Sequence, residues 1–217
     1  TVAQLMPRSL KARENGVLTM VGFQRRHVPL INTLKKKVET SGPIHTVEVT
    51  YIKHQPDPLY YYDGAIDILR SDGIHAVDTL RHLAGACDGA EVTGVVSSVR
   101  AIDAESPNAF HVLVTFSNGV TGILNINWAA GHRVFATAFH ATGASAYAEP
   151  DVGGKLHLDD DTMGREFTPR ECAKSDDPLH CLGFYAENRH FIDCVKKRRQ
   201  PVSSLADAAK SMELAER

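Results

Sequence analysis

Residues 71–85 read SDGIHAVDTLRHLAG, which gathers Asp72, His75, Asp78, Arg81 and His82 into one short stretch. Imidazoles and carboxylates are the usual proton carriers of enzymes and also common metal ligands. Two chemistries are therefore open to these residues. His75, Asp78 and His82, at i, i+3 and i+7, could hold zinc or a similar ion, although HxxDxxxH lacks the specificity of HExxH. Alternatively His75 could act as a general acid and base. Its place in the first turn of a helix would disfavour imidazolium and keep the ring neutral near pH 7, and Asp63, Asp67 or Asp72 could orient it. A third reading has no chemistry in it: the charged groups are the wet face of an ordinary helix.

The element that must position these groups is a helix expected over residues 73–84, with Asp72 as N-cap and Gly85 as its left-handed terminator. At about 100° per residue, Ile74, Val77, Leu80 and Ala84 fall on one side and His75, Asp78, Thr79 and His82 on the other. Upstream, residues 1–16 read as a helix ending in Lys, Arg, Asn and Gly, and residues 17–23 (VLTMVGF) as a short buried strand. Pro29 opens a second helix that Gly42 and Pro43 stop. Residues 45–54 (HTVEVTYIKH) alternate as a half-buried strand, and a loop rich in Pro, Asp and Tyr leads from it to His75.

Beyond Gly85 the pattern turns to strands at residues 91–102, 109–116, 120–130 and 133–143. Asn118-Gly119 between two β-rich runs marks a hairpin, so that pair must be antiparallel. The tail returns to helix, with Phe184, Asn188, Phe191 and Val195 on one face and a capping-box pattern from Ser204 to Asp207. The sum is an α+β fold, a large, mostly antiparallel open sheet with helices packed on one face.

Composition narrows the function. The 217 residues are 43% hydrophobic and 23% charged, ordinary for a globular protein. The 24 Lys and Arg against 26 Asp and Glu give a net charge of -2, so nothing draws the chain to nucleic acid or an anionic membrane. The basic run at residues 196–200 follows a helix and suits its C-terminal dipole. The four cysteines (Cys87, Cys172, Cys181, Cys194) form no CxxC pair and are expected to be reduced thiols of a cytoplasmic protein. No apolar run reaches the ~20 residues of a membrane span, and no GxSxG or evident Cys-His pair suggests a nucleophilic enzyme.

Three stretches in order and spacing carry a resemblance: residues 20–51, the pattern GIHxxDxLRxLxG at 73–85, and HFxxCVxxxxxPxSSxxDA at 190–208. Together they resemble the C-terminal part of the Gfo/Idh/MocA family of NAD(P)-dependent oxidoreductases. The resemblance implies a Rossmann domain ending near a Glu-Lys-Pro motif, followed by an α+β domain whose open sheet mediates homo-oligomerisation. It implies a small-molecule substrate, a sugar, polyol or similar hydroxylated compound, and NAD or NADP as cofactor. His75 matches the family's catalytic histidine. The family aspartate four residues earlier falls on Ser71, with Asp72 one residue later as the replacement. Gln24, Arg25 and Arg26 match a segment at the domain junction, suited either to substrate or cofactor contact or to interdomain salt bridges. This chain has neither GxGxxG nor Glu-Lys-Pro. By resemblance it therefore holds the last helix and strand of a cofactor domain (1–23) and a substrate-binding and oligomerisation domain (24–217), and the cofactor is held mainly by residues outside it. No metal is assigned. The alternatives are a non-catalytic ligand-binding or assembly protein built on the same domain, or a metal-dependent enzyme.

Overall fold

The computed structural model describes residues 1–55 and 67–217, so Asp63 and most of the Pro- and Tyr-rich loop lie outside the described residues. Helix α1 (Val2–Glu14) is followed by a 3-10 turn at Gln24–His27, helix α2 (Pro29–Val38) and strand β1 (Thr46–His54). A π-helical turn at Leu69–Gly73 runs straight into α3 (Ile74–Leu83). Strands β2 (Val92–Arg100), β3 (Ala109–Phe116), β4 (Thr121–Asn127), β5 (Ala129–Ala141), β6 (Ala144–Glu149), β7 (Gly153–Leu158) and β8 (Arg165–Phe167) come next. Helices α4 (Pro169–Ala173), α5 (Pro178–Cys181), α6 (Phe184–Lys197) and α7 (Leu205–Glu216) complete the chain.

The strands form one sheet in the order β2-β3-β4-β1-β5-β6-β7-β8, and among the described residues β1 beside β4 is its only parallel pair. Helices α2 and α3 cover one face, α2 over β5 to β7 and α3 over β1 and β4. This is the expected α+β architecture. Alternation in β1 sends Val47, Val49, Tyr51 and Lys53 inward and Glu48 and His54 outward. Among the described residues no helix lies on the other face of the sheet, which exposes Val96, Leu113, Ile123 and Tyr147. At the hairpin, Gly119 takes a φ of +86°, and Asn118 donates 2.9 Å to the Ala84 carbonyl at the end of α3. One turn residue thus closes the β3–β4 connection and satisfies an orphan carbonyl of the helix that carries His75.

Strand β8 is only three residues long, and β6 and β7 escape the sequence pattern because small residues dilute it. Gly154 of β7 shows why they are small. A Cβ there would come within 2.6 Å of Leu34 Cδ1 and 2.9 Å of the Tyr147 carbonyl, so α2 can lie this close only over a bare backbone.

Three expectations need correction. Residues 17–23 join no strand, because no sheet edge among the described residues lies beside them. Val21 instead donates to the Ser203 carbonyl at 2.7 Å and accepts from the Ser203 hydroxyl at 2.8 Å. The inner face of α6 is Glu187 and Cys194 with half-buried His190 and Phe191, while Phe184, Asn188 and Val195 are exposed. Asp72 is not a helix cap. Ile68 is already helical (φ -67°, ψ -32°), and the π turn carries the helix through Asp72 to α3. His75 therefore sits well inside a longer helix rather than in its first turn, where the dipole would have acted on it.

Candidate active site

The inward row of β1 ends on Tyr51 and Lys53, two residues apart on the same face. Asp72 in the π turn meets both. Lys53 Nζ bonds its Oδ2, and the Tyr51 hydroxyl donates to its two carboxylate oxygens at 3.1 and 3.2 Å. Burial works against the Lys53 charge, but the Asp72 bond outweighs it and raises the lysine above its ordinary range. Aromatic rings floor the group: Lys53 Nζ lies 4.5 Å from the Trp128 ring centroid and 4.8 Å from that of Tyr51, whose ring meets Phe135 at 5.1 Å. An extra helical residue of the π type re-aims side chains locally, and here it turns Asp72 toward β1. Gly73 completes the turn. A Cβ on it would stand 3.3 Å from Ile126 Cδ1 and from the Ile68 carbonyl.

Two residues past Gly73, His75 faces the same region. Its ring stands edge-on to Phe23 at 6.1 Å, and Nδ1 is buried with no hydrogen-bond partner. Burial lowers its pKa, against the pull of Asp72 and with the push of the Arg25 charge, so the ring is neutral at pH 7. Desolvation thus keeps His75 neutral, where the sequence had suggested the helix dipole. Ser71 Oγ turns back to the Ile68 carbonyl at 3.5 Å within the π turn. Asp72, in the same turn, directs its carboxylate to Tyr51 and Lys53.

The 3-10 turn Gln24–His27 lies alongside and splits its two arginines. Arg25 stacks over the Phe135 ring at 4.1 Å. Arg26 points the other way. Its Nε and Nη2 reach Asp78 at 2.7 and 2.5 Å, Nη2 reaches Asp207 at 2.5 Å, and Nη1 reaches the Val202 carbonyl at 2.9 Å. Burial opposes its charge, but the Asp78 bonds more than offset this and hold Arg26 above its ordinary pKa. Arg26 thus ties the turn to α3 and α7 as an internal ion network. Gln24 is half-buried beside it.

In this network Asp78 faces the arginine, with Ser211 donating to it at 2.7 Å. Among the described residues no group of three or more His, Cys, Asp or Glu is placed to hold a metal ion. The polar side of α3 is correspondingly not a solvated face, since Asp78, Thr79 and Arg81 are all buried. His82 is pushed down to about 4 by burial and by the Arg26 charge, and so stays uncharged in this packing.

What holds the 3-10 turn in place is Gly183, just before α6. It has a φ of +89°, and a Cβ there would stand 2.5 Å from the Gln24 carbonyl oxygen, 2.8 Å from the His27 carbonyl carbon and 2.9 Å from Val28 N. These neighbours are backbone, which cannot swing aside. Gly183→Ala is expected to cost about 1–3 kcal/mol, read as a lower urea midpoint, because overpacking here lifts the turn that carries both arginines. An unchanged midpoint would show that the turn yields freely.

Two large concavities, about 600 Å3 on the open sheet face and about 680 Å3 between α1 and α7, are lined by neither His75, Asp72 nor Arg25. Volume does not mark the site. Three of the buried side-chain atoms without partners among the described residues do lie there, His75 Nδ1, Arg25 Nε and Trp128 Nε1, and others, such as His82 Nδ1 and Glu187 Oε1, lie elsewhere.

A family sequence model described as the GFO/IDH/MocA C-terminal domain matches residues 32–147, more than half of the chain. The chain belongs to the Gfo/Idh/MocA family. A protein of Salmonella typhimurium LT2 named as an oxidoreductase, YceM, is 25% identical over 198 residues, which cover 88% of this chain and 57% of YceM. The chain thus spans little more than half of that relative's length. Among solved structures, a dehydrogenase from Chromobacterium violaceum matches with a TM-score of 0.83 at 18% identity, covering 100% of this chain and 64% of that one. Levoglucosan dehydrogenase in complex with NADH and levoglucosan gives 0.82 at 16%, covering 100% and 67%. UDP-N-acetylglucosamine 3-dehydrogenase from Acidithiobacillus ferrooxidans gives 0.75 at 16%, covering 100% and 65%. At such identities the likeness is one of fold.

Within this Gfo/Idh/MocA chain, Lys53, Tyr51, Trp128 and Phe135 are the site neighbours that sequence reasoning missed. One signal was available. In TVEVTYIKH the inward positions run Val, Val, Tyr, Lys, and a lysine on the apolar side of an alternating strand requires a buried partner. No helix among the described residues is long and apolar enough to cross a membrane.

Proposed function

We propose that this chain is the substrate-binding part of an NAD(P)-dependent oxidoreductase acting on a sugar, polyol or similar hydroxylated compound, with His75 as proton acceptor and Asp72 as its electrostatic support. The observation that carries the reading is the buried, unpartnered Nδ1 of a neutral His75 beside the Lys53–Asp72–Tyr51 cluster. A neutral imidazole with a free ring nitrogen fits the removal of a hydroxyl proton. When bound, a nicotinamide cofactor supplies the acceptor for the hydride leaving the same carbinol carbon. The products are then a carbonyl, a reduced cofactor and a protonated His75. Asp72 favours that imidazolium, and the aromatic floor of Phe23, Trp128 and Phe135 keeps water away. A neutral His75 with the Asp72 carboxylate nearby is a set of groups compatible with the reacting end of a nicotinamide. Its pyrophosphate finds no Gly-rich cradle in the sequence, so cofactor binding falls mainly to residues outside the chain, with residues 1–23 as the end of that domain. The relatives named as dehydrogenases of levoglucosan and of UDP-N-acetylglucosamine support a carbohydrate-like substrate. The uncovered sheet face, with Val96, Leu113, Ile123 and Tyr147 exposed, supports assembly with further copies of the chain.

The test is reduction of NAD+ or NADP+ by the full-length protein across a panel of aldoses, polyols and sugar acids. Cofactor reduction with at least one of them is expected. Saturable binding of such compounds with no reduction would favour a non-catalytic binding protein on the same domain.

A further inference from the structure

The three most buried guanidiniums of the chain are treated unequally. Arg26 is neutralised by Asp78 and Asp207, and Arg81 reaches Asp207 at 3.3 Å and Ser211 at 2.6 Å. Arg25, only 7% exposed, has no carboxylate partner among the described residues. Its guanidinium rests on the Phe135 ring at 4.1 Å, and its Nε is buried without an acceptor. A buried arginine keeps its proton, and an unpaired charge inside a protein is costly, so a fold normally supplies a counter-charge. Here the neighbours do not. Lys53 is committed to Asp72, and Arg133 to Asp151 at 3.2 Å. Among the described residues these two carboxylates are bonded to Lys53 and Arg133, and none is bonded to Arg25. Trp128 Nε1, against the same aromatic floor, is a second buried donor with no acceptor.

We infer that Arg25 is the anion-recognition residue of the site, and that the substrate is an acidic carbohydrate or related hydroxy acid whose carboxylate or phosphate pairs with this guanidinium. The inference rests on the functional reading above and narrows its substrate class. A planar guanidinium with its face on an aromatic ring presents its edge donors as a fork, which a carboxylate or phosphate fits with two parallel hydrogen bonds. The position also suits the chemistry. The Arg25 charge acts against protonation of His75, so an anion seated on Arg25 removes that opposition as the imidazole takes up the hydroxyl proton.

The test uses the full-length enzyme with D-galacturonate and D-glucuronate as carboxylates, glucose 6-phosphate as phosphate, and galactose, glucose and myo-inositol as neutral controls. An anionic compound is expected to exceed its neutral match at least about 10-fold in kcat/KM. Arg25→Gln should cut that preference about 30-fold or more, as loss of one partner of a buried charge pair does, while Arg25→Lys restores part of it. Whether carboxylate or phosphate is the better partner follows from the galacturonate and glucose 6-phosphate arms. Without ligand, Arg25→Gln should melt no lower than the wild type, because it removes an unpaired buried charge.

Preference for neutral compounds, or a preference that survives Arg25→Gln, overturns the inference while leaving the oxidoreductase reading intact. A weakened cofactor Kd with an unchanged substrate preference assigns Arg25 to a cofactor phosphate and overturns it equally. If no compound is turned over, the oxidoreductase reading fails, and calorimetric titration with galacturonate and glucose 6-phosphate still decides Arg25. Binding lost in Arg25→Gln supports its role, and absence of binding to the wild type refutes it.

Discussion

Asp78→Ala is expected to destabilise the protein by about 3–5 kcal/mol, because it removes one partner of a buried charge pair and leaves the other uncompensated. Asp78 accepts from Arg26 Nε and Nη2 and from Ser211 Oγ, and both side chains of the Arg26–Asp78 pair are essentially inaccessible. For a chain of this size, such a loss corresponds to a fall in Tm on the order of 6–20 °C. Asp78→Asn keeps an acceptor oxygen of the same shape and should lose less. Because the pair is buried, salt should change the difference between variant and wild type very little, unlike a surface ion pair. A melting temperature within about 2 °C of the wild type, equivalent to under ~1 kcal/mol, would show that Asp207 alone neutralises Arg26.

The same network joins three segments far apart in sequence: the 3-10 turn with Arg26, α3 with Asp78 and Arg81, and α7 with Asp207 and Ser211. Its contribution is therefore positional as well as energetic. Arg25 is the next residue along the turn from Arg26, so loosening Arg26 also loosens the guanidinium assigned above to the substrate.

How much of this could be read in the sequence depends on how local each feature is. Strand β1, the β3–β4 hairpin at Asn118-Gly119 and the start of α2 at Pro29 follow from period and turn chemistry, which act over a few residues. Strands β6 and β7 did not, because Gly154 and the alanines of β6 suit the close approach of α2 rather than β propensity. The polar side of α3 misled for a related reason. His75, Asp78 and His82 read as solvated or metal-binding only while the partners of Asp78, 52 and 133 residues away in sequence, are unknown. The π turn was likewise invisible. Asp72 has the residue type and position of a cap, and only the packing of Gly73 on Ile126 and the Lys53–Asp72 bond place it inside the helix. What the three matching stretches did carry was the family, since it rests on order and spacing along the chain.

Replacing His75 by alanine in the full-length enzyme is expected to lower kcat about 10²- to 10⁴-fold with little change in KM, the mark of a group whose contribution is made in the transition state. The pH profile adds a check that a structural role would not reproduce. His75 must be neutral to accept the hydroxyl proton, and burial disfavours its charged form, so its pKa lies below the ordinary 6.5. Activity should therefore be flat through neutral pH and fall only as the pH drops through that lowered pKa. His75→Ala should abolish this acid limb along with most of the rate. Asp72→Asn acts on the same limb from the other direction. Asp72 favours the imidazolium, so its loss should shift the limb to still lower pH and slow turnover by making His75 a weaker base. The variant also strips Lys53 of its bonded carboxylate, which makes Lys53→Met with Asp72→Asn the control that separates a changed lysine from a changed histidine. A His75→Ala enzyme that keeps kcat within about 3-fold of wild type would show that the hydroxyl proton leaves by another route, since a positioned general base contributes at least 10²-fold. Lys53 and Tyr51, the proton-bearing groups bonded to Asp72, would then be the residues to examine next.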